Sequence, residues 1–69
     1  MQTNGSNILK GKVVKVVEGP VDCEVTLEIA PGVEIVGTIT KASAALLGLA
    51  KGKIALAVIK ASDVMFGVD

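Results

Sequence analysis

The sequence has no histidine, arginine, tryptophan or tyrosine, and only one phenylalanine and one cysteine among its 69 residues. Each absence removes a chemistry. Without histidine, Ser6, Ser43, Ser62 and Cys23 have only lysines and carboxylates as candidate bases, and none stands at an activating spacing. No histidine and a single cysteine leave too few ligands for a soft-metal site, and no disulfide can form within the chain. A lone aromatic with scattered lysines offers neither the stacking platform nor the basic groove that single-stranded nucleic acid requires. The glycines form neither a GxGxxG pattern nor a phosphate loop. The expectation is a protein that is not an enzyme, with no catalytic residue, no cofactor and no metal bound directly as a cation.

Charge is equally uninformative as a total, because seven lysines balance seven acidic side chains. No net field steers the chain toward nucleic acid or an anionic membrane. The longest apolar runs, Ala44 to Ala50 and Ile54 to Ile59, are too short to span a bilayer, and no basic segment followed by an apolar one opens the sequence. A soluble, cytoplasmic protein is expected. What the chain does have is aliphatic residues: 51% of it is hydrophobic. A domain this short buries only about 60% of the surface its unfolded form exposes, and each Val, Ile, Leu or Ala adds modest area. With disulfides and metals excluded, subunit association is the remaining common route to stability.

Turn chemistry divides the chain. Polar residues 1–6 read as a flexible segment, and residues 7–69 as one domain. Ile8 to Val17 is rich in β-branched residues and ends at Glu18-Gly19-Pro20. Val21, Cys23, Val25, Leu27 and Ile29 then alternate with Asp22, Glu24, Thr26 and Glu28, a strict period of two that marks a strand with one buried face. Cys23 falls on that face, as an inert thiol. Pro31-Gly32 suits the centre of a type II turn, returning the chain through Val33 to Thr40. Thr40 fits a helix N-cap, Ala44, Leu46 and Leu47 a short helix, and Gly48 a left-handed terminator with Leu49 closing it. Lys53 to Lys60 forms a fourth strand and Val64 to Val68 a short fifth. Five strands with one helix between the third and fourth predict an all-β fold, a Greek-key barrel of the oligonucleotide/oligosaccharide-binding (OB) type. The first and fourth strands are apolar on both faces, which points to a buried subunit interface.

Two short stretches concentrate hydrogen-bond donors. Thr40-Lys41-Ala42-Ser43 combines two hydroxyls with the amides of a helix start. Lys60-Ala61-Ser62 leaves an apolar strand abruptly, joining a cation, a hydroxyl and backbone N–H groups. Taken alone, the first reads more readily as a helix cap and the second as a strand end.

Their joint spacing carries more. Asn7-Ile8-Leu9-Lys10-Gly11-Lys12-Val13-Val14, Glu24-Val25-Thr26-Leu27-Glu28-Ile29, Ile39-Thr40-Lys41-Ala42-Ser43, Leu47-Gly48-Leu49, Gly52-Lys53 and Ala57-Val58-Ile59-Lys60-Ala61-Ser62-Asp63-Val64-Met65 together resemble the molbindins, the small Mop-type molybdate-binding proteins. The resemblance covers nearly all of the chain from Asn7. It implies a molybdate- or tungstate-binding domain of TOBE/Mop type that assembles as a homohexamer, a trimer of dimers, with oxyanions at subunit interfaces for storage or buffering. One class of site would join Lys60, Ala61 and Ser62 of one subunit to the N-terminal motif, here Asn7, of another. A second would lie near the threefold axis and use Thr40 and Ser43. The family's Ser-Ala-Arg-Asn is here Asn4-Gly5-Ser6-Asn7, so Ser6 stands at the arginine position. Exchanging a cationic fork for a hydroxyl implies a loss of about 1.5 to 3 kcal/mol at the first class of site. The competing expectation is a structural or regulatory module of the same fold with weakened or lost oxyanion binding.

Overall fold

A computed structural model describes residues 6–69, with side chains from Asn7 onward. Four strands, β1 (Ser6–Glu18), β2 (Asp22–Ala30), β3 (Val33–Thr40) and β4 (Ile54–Lys60), form one antiparallel sheet in the order β3-β2-β1-β4. Helix α1 (Lys41–Leu47) connects β3 to β4, and a single 3-10 turn, Ala61–Asp63, follows β4. The flexible segment expected over residues 1–6 lies outside the described residues except for Ser6, which already pairs with Lys60. Among the described residues, no helix is long and apolar enough to cross a membrane.

The sheet turns on β1. Residues Ser6 to Lys12 pair with β4 and residues Lys12 to Glu18 with β2, so Lys12 belongs to both ladders. Such crowding needs glycine. A Cβ on Gly11 would overlap the Glu28 carbonyl oxygen and come within 2.9 Å of its carbonyl carbon and 3.0 Å of Leu27 Cγ. Just beyond, the register shifts between Val13 and Lys15, leaving Val14 as a bulge. The extra residue lets Val13 and Val16, three apart, both lie in register with the inner-face residues Leu27 and Val25. A second bulge at Ile29 precedes the Pro31-Gly32 turn, where Gly32 has the φ of +77° expected of a type II turn.

Helix α1 closes as its sequence suggests. Thr40 is extended and its Oγ1 accepts from the Ser43 N–H at 3.1 Å, satisfying one orphan donor. Gly48, at φ +65°, donates to Ala45 O, and Leu49 donates to Ala44 O, the paired bonds of a Schellman motif. Lys53 Nζ adds a 3.0 Å bond to Leu47 O, putting a cation where the last carbonyls point. Ala44 packs the helix onto β2 and β3, and the buried apolar set is small: Val13, Cys23, Leu27 and Ala44.

The fifth strand is not formed. Val64 to Asp69 runs irregularly, with Met65 93%, Phe66 96% and Val68 fully exposed. A strand is held by its ladder, and both edges of β1 are already taken by β2 and β4. The remaining free edges belong to β3 and β4, and the tail lies along neither. The result is a four-stranded sheet with an OB-like element order, not a closed five-stranded barrel. Between the free edges lies a groove of about 840 Å³, lined by residues such as Leu27, Ile35, Ile39, Leu49, Ala57 and Ile59.

Candidate functional site

The donor stretches sit at opposite ends of β1. Lys60 pairs with Ser6 and Ile59 with Asn7 at its start, while Thr40 pairs with Asp22 beside the strand's other end, where Glu18 meets Cys23. Two separate groups result.

In the first, backbone pairing brings the N-terminal motif against the Lys-Ala-Ser stretch within one chain. Asn7 Nδ2 donates to Ile59 O at 3.4 Å, which orients its amide along the ladder. Lys60 ends β4 in extended geometry without a capping side-chain bond, and the chain folds into the 3-10 turn, closed by the Val64 N–H on Ala61 O at 3.3 Å. Lys60, Ala61 and Ser62 are all exposed. This group therefore offers an ammonium and a hydroxyl to solvent at a sharp bend, with Asp63 as the one acidic neighbour in the turn.

The second group is more committed than its sequence indicates. Of the helix-start amides, Lys41 N–H is taken by Val21 O at 2.9 Å and Ser43 N–H by Thr40 Oγ1. The Thr40 hydroxyl donates to Ser43 Oγ at 2.9 Å. What remains for an outside acceptor is the Ser43 hydroxyl hydrogen, positioned by Thr40 on an exposed surface, together with the Ala42 N–H and the exposed Lys41 ammonium, neither of which has a hydrogen-bond partner among the described residues. The expected convergence of free amides and two free hydroxyls is thus reduced: Thr40 orients Ser43 and caps the helix. One chain supplies too few donors here to enclose a dianion, because each unsatisfied oxygen would carry a desolvation cost.

Cys23 is 2% exposed, at the base of a hollow between α1 and the β1–β2 hairpin, as the alternation of β2 required. Lys53 was legible only as the first residue of the fourth strand, yet it ties the entry to β4 to the helix that presents Ser43. A lysine five residues beyond the helix-ending glycine was the available signal.

Residues 3–66 match the TOBE domain. The chain is 46% identical over 65 residues to "Molybdenum-pterin-binding protein 3" of Clostridium pasteurianum, covering 94% of this chain and 96% of that one. A molybdate-binding protein from Sporomusa ovata has the same fold, with a TM-score of 0.88 and 31% identity over 99% of this chain and 100% of its own. The cytoplasmic molybdate-binding protein ModG, in a crystal form with molybdate bound, superposes with a TM-score of 0.92 at 45% identity. The match covers all of this chain and 49% of ModG. The fold and these likenesses define a TOBE domain, and the chain belongs to that family, among its short Mop-type molybdenum-pterin-binding proteins.

Proposed function

We propose that this protein reversibly binds molybdate, and tungstate of the same shape and charge, as a cytoplasmic store or buffer that performs no chemistry on its ligand. The observation that carries this reading is the similarity of the whole chain to about half of the molybdate-bound ModG, joined to the Thr40/Ser43 and Lys60/Ser62 groups. Both groups present donors. A tetrahedral dianion offers only acceptors, so hydroxyls, amides and ammonium groups satisfy it, whereas a carboxylate repels it.

Neither group encloses an anion by itself, which favours sites completed between subunits. A homo-oligomer, a hexamer built as a trimer of dimers, would gather several copies of Ser43 or add donors to Lys60, Ser62 and Asn7. It would also cover the exposed aliphatic residues of β4 and the tail. Assembly and binding are then linked, since an anion held between copies stabilises the assembled state.

The test is native mass spectrometry with and without molybdate, in competition with excess sulfate. Retained molybdate on a multi-subunit species supports the proposal. Absence of anion on an intact oligomer would instead favour a structural module of the same fold.

A further inference from the structure

Thr40 ends β3 and caps α1, and both of its bonds to the helix use one oxygen. Its Oγ1 accepts from the Ser43 N–H at 3.1 Å and lies 2.9 Å from Ser43 Oγ. The side chain is β-branched and stands at a strand end, paired with Asp22, so its χ1 has few choices and the oxygen stays turned to the helix. Among the described residues, no other side chain bonds to either hydroxyl. Two hydroxyls at this distance can bond in either polarity, because each has one hydrogen and can also accept. If Ser43 donates, its hydrogen points at Thr40 and its exposed oxygen offers only lone pairs, which an anion repels. If Thr40 donates, Ser43 keeps its hydrogen for an outside acceptor.

We propose that Thr40 is a positioning residue for an anion at Ser43 and not itself a ligand: by donating to Ser43 Oγ it holds the polarity in which Ser43 donates outward. This rests on the molybdate reading above and assigns the roles within that group. The hydrogen count supports it. The one hydrogen of Thr40 goes to Ser43 and a lone pair goes to the Ser43 amide, so Thr40 has no donor left for the anion. A carboxylate or a glycine also suits an N-cap, but neither has a side-chain donor for Ser43; a hydroxyl accepts and donates through a single atom. A hydroxyl that already accepts a hydrogen bond is the stronger donor, because bonds running from Thr40 through Ser43 to the anion polarise one another in one direction.

The test is a double-mutant cycle read by equilibrium dialysis of molybdate, each variant confirmed folded by far-ultraviolet circular dichroism. The reference protein carries Lys60→Ala, so that the other donor group does not contribute. Thr40→Val keeps the branched shape and removes both bonds of the oxygen, and is expected to weaken molybdate binding about tenfold. Thr40→Ser, which still accepts and donates, is expected to bind as the reference does. With Ser43→Ala already present, Thr40→Val is expected to add no further loss, because the group through which Thr40 acts is gone. Lys53→Met removes the bond at the other end of α1 and controls for stability alone; it should leave molybdate binding unchanged. Losses that add in the double variant would make Thr40 a ligand in its own right and overturn the inference. So would binding unaffected by Thr40→Val, a Thr40→Ser protein as weak as Thr40→Val, or an equal loss in Lys53→Met. Should Thr40→Val not fold, Thr40→Gly, which an N-cap tolerates, takes its place in the same cycle. Unsubstituted protein that retains no molybdate removes the function itself and the inference with it. Unsubstituted protein that retains it, beside a Lys60→Ala reference that does not, overturns the role at Ser43 alone.

Discussion

Gly11→Ala is the sharpest test of how this sheet is built. The added methyl would meet the Glu28 carbonyl group and Leu27 Cγ, which lies 3.0 Å away. The first of these is backbone inside the β1–β2 ladder, so it cannot rotate aside, and β1 must move at the residue next to Lys12, where the two ladders meet. Overpacking of this kind costs about 1 to 3 kcal/mol, and each ladder hydrogen bond strained by the displacement adds about 1 kcal/mol. A total of about 3 kcal/mol is expected. A chain of this length has only about 3 to 10 kcal/mol of stability, so the variant sits at the edge of folding. Thermal unfolding followed by circular dichroism should show a midpoint lowered by roughly 12 to 24 °C. Gly37→Ala is the matched control: also in a strand, Gly37 would have nothing within 4 Å of the added methyl, and it has no positive φ. It should melt within a few degrees of the parent. A Gly11→Ala protein as stable as Gly37→Ala would refute the claim that close strand approach, and not ordinary strand chemistry, requires glycine at position 11.

The caps and the donor groups carry further consequences. Thr40→Ala removes the bond to the Ser43 amide and should cost about 1 kcal/mol in urea unfolding, while Thr40→Ser should retain most of it. Lys53→Met leaves Leu47 O without its ammonium and should cost about 0.5 to 1 kcal/mol, a difference that shrinks in high salt. If the proposed function is right, Ser43→Ala and Lys60→Ala should each weaken molybdate binding roughly 10- to 150-fold by equilibrium dialysis, the loss of one hydrogen bond to a charged ligand. Ser6→Arg should strengthen it, by adding a cationic fork opposite Lys60 in the register.

Much of this architecture was already determined by local sequence. Alternation placed Cys23, Val25 and Leu27 on one face of β2 because the side-chain period of a strand is two. Pro31-Gly32 and Gly48 announced their turns because few residues tolerate those dihedrals, and Thr40 announced the helix because a hydroxyl there can reach an amide three residues on. The aliphatic surplus likewise pointed to surface that one chain cannot bury.

Tertiary structure decided the rest, for reasons that no window of sequence contains. Only the meeting of two ladders on one strand explains Gly11, and only the bulge at Val14 explains why Val13 and Val16 share a face. The tail from Val64 has the composition of a strand, but a strand exists only where an edge receives it, and in this chain none does. Of the donor groups, Lys60 gained its neighbours Ser6 and Asn7 through pairing across more than fifty residues, a long-range registration. Thr40 and Ser43 were legible as donors but not as a bonded pair. The missing side chains constrain the chemistry whatever the fold: a chain without histidine or arginine can hold an oxyanion only through hydroxyls, amides and lysines, and where those converge is set by packing alone.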